Sequence, residues 1–356
     1  MRAVAAHRVF FPAAALHGAV AIGLWALPPE PVMPAAWHVH ELVFGYAVAV
    51  VAGFLLTKAS GLEILAALAV WGLARLAWLV PDTPDVLRAV LTVAATAGIV
   101  GLAARGLLRG IKRGQNATFP VLLPALAVCD AASQAGLLLG RHGLARSAAE
   151  TGLLLVVLLI LVMGGRIAGA ALSGLAQRAG GARIPPQPRA EPLLAAALGL
   201  VAVATALGAP LLLAASTWAA AAVIAYRIAG WRAAMPIAGV DLRALVASQA
   251  FIAIGFAGMG AGAWQPPWPA TAPLHLVAIG GIGIATVVMM LKTHAQRDRQ
   301  LLPGGLVAAA ALLLAAAAVG RALGYLAPET AYPLAGAAWI AAMSVCLAGM
   351  LRHRAR

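Results

Sequence analysis

The feature that most constrains this chain is a succession of apolar blocks, each about twenty residues long. Short stretches between the blocks hold nearly all of the Arg, Lys, Asp, Glu and Pro residues. A helix of about twenty apolar residues is as long as the hydrocarbon core of a bilayer is thick. The pattern therefore predicts an all-α protein, a polytopic membrane bundle of about twelve transmembrane helices that forms one integral membrane domain over residues 1–356.

Composition excludes the soluble classes of protein. Charged residues make up 10% of the chain and hydrophobic residues 63%, whereas a soluble domain carries roughly 25% charged residues. The net charge of +14 could indicate nucleic-acid binding, but the basic residues lie between the apolar blocks and form no stripe with stacking aromatics. We therefore expect the lipid bilayer as a partner and no nucleic acid.

A polar stretch rich in proline divides the predicted helices into two sets of six. The first six helices fall in residues 1–172, the linker covers residues 173–191, and the last six helices fall in residues 192–356. The seventh and eighth spans are predicted at Pro192–Ala214 and Thr217–Met235. Because most Lys and Arg residues lie at the termini and in the loops on the linker's side, we expect both termini to be cytoplasmic.

Three of the eight histidines lie at the outer ends of predicted spans. His38 and His40 open the second span, and His275 lies just inside the tenth. Both helices run inward from the outer face in this topology, so we expect the three imidazoles at a similar depth. Imidazole is a common ligand of haem iron and copper. The pattern favours a haem or copper site near the outer face, with histidines that merely reach interfacial water as the alternative.

Helical geometry separates His38 from His40. Residues two apart on a helix point roughly 200° away from each other, so a continuous helix cannot bring both onto one metal. We choose His40 as the partner of His275, because it lies deeper and precedes Glu41, whose carboxylate could orient its ring. His38 would then serve a second metal or cap the helix.

Weaker candidates lie elsewhere in the spans. His17 is near the middle of the first span, where an ionisable group is costly, although a hydrogen bond to a neighbouring helix explains it equally well. Arg166 could meet a haem propionate or extend its charge toward the interface. Met289 and Met290 could ligate copper, although methionine is common in helix cores. No hydrolase or nucleotide-binding motif occurs, so no catalytic residue is predicted.

Two long stretches carry a family resemblance. The first runs from Trp37 to Thr57 and begins WHVHELVFGYAV, and the second starts at His275 and reads HLVAIGGIGIATVVMMLK. Both resemble the NnrS family, bacterial membrane proteins that contain haem and copper and are linked to the nitric oxide response. The Gly164-Gly-Arg166 segment fits the same family more loosely.

The resemblance implies a ligand set and a function. Carried over residue by residue, it makes His38, His40 and His275 haem or copper ligands, whereas a histidine common in the family's ninth span has Gln249 as its nearest polar counterpart here. It implies a protein of the bacterial inner membrane with haem b and copper as cofactors and a role in handling nitric oxide. A redox partner or a haem-copper enzyme is the expected protein partner. The alternatives are a cofactor-free transporter and a copper-trafficking or assembly factor.

Overall fold

The computed structural model describes residues 4–27, 33–108, 119–265 and 271–352. Over these residues the chain forms twelve helices that are long and apolar enough to cross a membrane, and it forms no strand. The predicted polytopic bundle is confirmed, and the chain is a multi-pass membrane protein. The helices are α1 (Ala6–Ala26), α2 (Ala35–Leu55), α3 (Gly61–Leu79), α4 (Asp85–Leu108), α5 (Phe119–Leu138), α6 (His142–Arg178), α7 (Ala190–Leu207), α8 (Pro210–Trp231), α9 (Val240–Trp264), α10 (Thr271–Arg297), α11 (Gly304–Leu323) and α12 (Pro328–Arg352).

The chain divides into two compact units, Met1–Val156 and Val157–Arg356. The first unit contains α1 to α5 and the start of α6, and the second contains the rest of α6 and α7 to α12. The boundary between the units therefore lies inside α6, and the stretch predicted as a linker connects α6 to α7 within the second unit. That stretch remains helical as far as Arg178, and Gly180, with φ of 77°, follows the helix end in the left-handed conformation that glycine favours.

The turn between α7 and α8 lies earlier than the sequence predicts. The helix α7 ends before Gly208, which adopts a left-handed φ of 60°, and Pro210 is the first residue of α8. Glycine just after a helix and proline at the next helix start form a recognised boundary signal. The apolar residues that continue through this turn conceal the signal from a hydropathy argument.

The helices turn apolar side chains outward and polar side chains inward. In α3, Leu62, Leu73 and Leu76 are 80%, 53% and 55% exposed, whereas Arg75 on the same helix is 6% exposed. In a bilayer the surrounding solvent is itself apolar, so an ionisable group is tolerated only where it faces other helices. Buried polar side chains are therefore the first place to look for function.

Two helices contain a π-helical segment, and each segment starts directly after a histidine. The segment Glu41–Ala47 follows His40 in α2, and the segment Leu276–Gly283 follows His275 in α10. A π turn inserts an extra residue into a helix, widens it locally and is frequent at functional sites. The two stretches that resemble the NnrS family thus share one local geometry, although they belong to different units.

The helices α2 and α10 each lie among other helices of their own unit. In the first unit α2 packs against α1, α3 and α4, and in the second α10 packs against α9, α11 and α12. They are also the two most buried of the twelve spans. Side chains on these helices can therefore meet groups from several neighbours.

Candidate functional sites

In the first unit, His40 is held between two carboxylates. Its Nδ1 lies 3.1 Å from Glu41 Oε1, and its Nε2 lies 2.9 Å from Oδ1 of Asp130 on α5. All three side chains are buried. An ionised carboxylate can only accept hydrogen bonds, so with both acids ionised both ring nitrogens must donate. In this arrangement His40 has no lone pair to offer a metal.

Glu41 links three helices of the first unit. Its Oε1 accepts a hydrogen bond from Arg75 Nη1 of α3 at 2.7 Å, and its Oε2 lies 3.1 Å from His17 Nε2 of α1. With both carboxylates ionised, the positive charges of Arg75 and His40 balance the negative charges of Glu41 and Asp130. Buried charges are tolerated when they are paired and hydrogen-bonded in this way. The five side chains form one buried network, which we call the His40 network.

Gly45 provides the space in which the His40 network lies. A Cβ atom at this position would lie 2.6 Å from His17 Nε2 and 2.8 Å from Arg75 Nη1, which is too close for either contact. The carbonyl oxygen of Gly45 also accepts a hydrogen bond from Trp71 Nε1 at 3.0 Å. The backbone of the π-helical segment at Gly45 therefore lies directly against the polar side chains of the network.

His38 faces a different side of α2 from His40. Its ring stacks on Trp25 of α1, with ring centroids 4.9 Å apart and an interplanar angle of 11°. This separation agrees with the expectation that one helix cannot direct both histidines at one metal. His17 contacts Glu41 of the neighbouring helix α2. It therefore acts as a histidine hydrogen-bonded between helices, which is the alternative that the sequence offered to a metal ligand.

In the second unit, the hydrogen bond that His275 makes leaves its other ring nitrogen able to bind a metal. Its Nδ1 lies 2.6 Å from the carbonyl oxygen of Thr271. Because a carbonyl can only accept, Nδ1 carries the hydrogen, and in the neutral ring Nε2 keeps its lone pair. No residue in the described part of the chain hydrogen-bonds to Nε2. Metal-binding histidines commonly donate their second ring N–H to a backbone carbonyl in this way.

Three glycines let the π-helical segment of α10 approach its neighbours. Added Cβ atoms at Gly280 and Gly281 would collide with the side chains of Phe251 and Ile252 on α9, and one at Gly283 would lie 2.8 Å from Trp339 of α12. Small residues allow membrane helices to come this close. The glycines of the second family-like stretch therefore act in packing, which fixes the helix that carries His275.

Arg166 is already paired within the second unit. Its Nε donates to Oε1 of Glu191 on α7 at 2.7 Å, and its Nη2 donates to the other carboxylate oxygen. A Cβ atom at the preceding Gly165 would collide with the guanidinium of Arg227, which donates to the carbonyl oxygen of Leu161. A haem propionate would have to displace Glu191 to bind Arg166, and the contact with a propionate stays a prediction.

The remaining candidates on α9 and α10 lie in the helix interior. Met290 is fully buried, and Met289 beside it is partly buried. Both lie about 20 Å along α10 from His275, so they cannot bind the same metal ion as that histidine. Gln249 of α9 is buried, and its amide oxygen and nitrogen have no hydrogen-bond partner among the described residues.

Sequence reasoning predicted Glu41 as a group beside His40 but missed Asp130 and Arg75. Asp130 was visible as an acid inside a span, but its contact with His40 joins residues ninety positions apart on different helices. Arg75 offered a clearer signal, because a cation within an apolar span usually faces a polar partner. Arg321 of α11, whose positive charge acts on His275, lies near a helix end where basic residues are ordinary.

Comparison with known proteins places the chain in a family. No curated protein matches it. The family model described as NnrS protein matches residues 3–354, which is nearly the whole chain and includes both stretches on which the resemblance was based. A match of this extent shows that the chain belongs to the NnrS family.

Proposed function

We propose that this chain is a haem-binding protein of the bacterial inner membrane that handles nitric oxide or gives resistance to nitrosative stress. The observation that supports the proposal most directly is the geometry of His275. Its Nδ1 is committed to the Thr271 carbonyl, and its Nε2 is left with a lone pair and no protein partner among the described residues. The NnrS family membership supports the same conclusion, because the resemblance implies haem and copper as cofactors.

Two features of the surroundings of His275 support haem b. The ring is only partly buried, and Arg321 supplies a positive charge that acts on this position, where an anionic propionate would be favourable. Haem b held there would supply an iron that could bind nitric oxide or transfer electrons. His275 itself would bind the iron through Nε2, and Thr271 would hold the ring in place.

The family resemblance implies further ligands in the first family-like stretch, His38 and His40. His40 could act as a ligand only after one of its two carboxylate contacts is exchanged for the metal, because both ring nitrogens are engaged. His38 is stacked on Trp25. Single substitutions of the two histidines distinguish them, because only the ligand changes the position of the Soret band when it is removed.

A cofactor-free transporter is the second candidate, and the His40 network favours it. Ionisable groups inside membrane spans are rare and often mark a path for ions or protons. Here five such side chains, from α1, α2, α3 and α5, are joined by short contacts. A protein of this class would need the network and would contain no haem.

The experiment is an absorption spectrum of the detergent-purified protein, oxidised and dithionite-reduced, after expression with sufficient haem. Iron and copper are quantified in the same sample, and nitric oxide is then added. We expect a stoichiometric Soret band that shifts with nitric oxide. His275→Ala should lose the band. Its matched control is His142→Ala, at an exposed histidine at the start of α6, which should leave the band unchanged. A folded, colourless protein without bound metal would instead support the transporter.

A further inference from the structure

Several buried polar side chains of the first unit lack hydrogen-bond partners. In a membrane such groups are costly unless water or a ligand satisfies them. The atoms without a partner among the described residues include Arg75 Nε and Nη2, Trp78 Nε1, Thr92 Oγ1, Thr96 Oγ1, Asp130 Oδ2 and Gln134 Nε2.

The two threonines differ from other threonines in the spans. Thr205, Thr217 and Thr286 each donate their hydroxyl to the carbonyl four residues earlier, at 2.7–2.9 Å. That local bond is the usual way to satisfy a threonine within a helix. Thr92 and Thr96 do not make it, although they lie one turn apart on the regular helix α4. Their hydroxyls are therefore available to a partner outside α4.

The side chains with these atoms lie on helices that pack together. The helix α4 contacts α2, α3 and α5, and Thr92 and Thr96 are 0% and 1% exposed, whereas Val90 on the same helix is 57% exposed. The threonines therefore face the interior of the unit and not lipid. Asp130 and Gln134 are also one turn apart and buried, and they lie on α5, which packs against α4.

These side chains also lie toward one end of the unit, where α4 begins and α5 ends. Measured along the helix axes from those ends, Gln134 is about 6 Å deep, Thr92 about 10 Å, Asp130 about 12 Å and Thr96 about 16 Å. The distribution of basic residues predicts that this end is at the outer face. The polar atoms thus form a graded series from the outer end toward the middle of the bilayer.

The donors and acceptors in this set require a small partner that can both donate and accept hydrogen bonds. Arginine, tryptophan and amide nitrogens donate, the Asp130 oxygen accepts, and hydroxyls do either. We propose that these groups line a water-filled recess, which opens at the outer end of the first unit and reaches the contact between Asp130 and His40. The recess gives water and small polar molecules access to the His40 network. It does not depend on haem.

The test is the reactivity of single cysteines toward the small reagent 2-aminoethyl methanethiosulfonate. Cys129 and Cys346 are first replaced by alanine, and Thr92→Cys, Thr96→Cys and Gln134→Cys are introduced one at a time. Ile99→Cys, fully buried on the same helix, and Val90→Cys, on its exposed face, are the controls. The reagent is added from one side of sealed vesicles, with a thiol scavenger on the other side.

We expect the three recess cysteines to react at least about tenfold faster than the controls, because the reagent attacks a thiolate and a thiol ionises poorly without water. Reaction should be faster from the side on which α4 begins. If all five cysteines react at the same slow rate in variants that elute as folded protein, the recess does not exist.

Hydroxyl-radical footprinting of the unaltered protein covers the case in which a variant does not fold. Radicals formed in bound water modify side chains beside that water. Trp78, whose indole nitrogen lacks a partner, should be modified faster than Trp25, another partly buried tryptophan of the first unit. Equal modification of the two tryptophans at background level would overturn the proposal.

Discussion

The two π-helical segments present the same local structure in two different chemical settings. In the first unit, the histidine before the segment has both ring nitrogens bound to carboxylates and belongs to a buried network of five ionisable side chains. In the second unit, the corresponding histidine makes one hydrogen bond to a carbonyl and keeps its other nitrogen without a partner. A shared backbone geometry therefore does not imply a shared role.

The difference separates a histidine held by charge from one ready to bind a metal. His40 is fixed by Glu41 and Asp130, and any change in its bonding also affects Arg75 and His17. His275 can accept a metal at Nε2 without the loss of another contact. We therefore expect substitutions in the first unit to affect mainly stability, and substitution of His275 to affect mainly cofactor binding.

The largest expected effect on stability comes from Glu41→Leu. It leaves the buried Arg75 without its carboxylate, and breaking a buried pair in this way costs about 3–5 kcal/mol. Thermal unfolding in detergent measures the loss. The control is Glu63→Leu, which removes an exposed ion pair with Arg105 and the Glu63 half of a capping box with Ser60, together worth about 1–2 kcal/mol. Equal losses in the two variants would show that the His40 network is not a stabilising unit.

Gly45→Ala should have a smaller effect through the same network. The added Cβ would displace His17 and Arg75, and such overpacking costs about 1–3 kcal/mol. Gly72→Ala on α3 is the matched control, because nothing lies within 4 Å of its added Cβ, and it should be neutral or stabilising by up to about 1 kcal/mol. Thermal unfolding of both variants gives the comparison, and a neutral Gly45→Ala would contradict the close packing.

Arg166→Gln should have the smallest effect, and none on haem content. The guanidinium is occupied by Glu191, and a partly exposed ion pair of this kind contributes at most about 1 kcal/mol. The haem-to-protein ratio of the purified variant measures the outcome. A fall in this ratio, without a fall in stability, would support Arg166 as the propionate partner that the sequence predicts.

Much of the fold follows from the sequence, because the thickness of a bilayer sets the length of each apolar block. Twelve spans and their order were predictable on this ground. The boundary between the two compact units inside α6 was not predictable. The proline-rich stretch after Arg178 changes the composition of the chain, but the helices on either side of it belong to the same unit. The position of the turn at Gly208 was present in the sequence as a glycine followed closely by Pro210.

The candidate sites were predictable in part. The position of His38, His40 and His275 at helix ends and the opposite directions of His38 and His40 follow from helix geometry. The π-helical segments do not follow from the sequence pattern, because a change of the backbone hydrogen-bond register depends on how neighbouring helices pack. The contact between His40 and Asp130 likewise depends on the packing of α5, which no short-range pattern records.

The most direct test of the difference between the two histidines is the haem content of His275→Gly, measured as pyridine haemochrome per protein with and without added imidazole. We predict that the variant loses stoichiometric haem and regains it with imidazole, which would occupy the position of the missing ring, whereas His142→Gly keeps full haem content throughout. Unchanged haem in folded His275→Gly would contradict the assignment of His275 as the ligand.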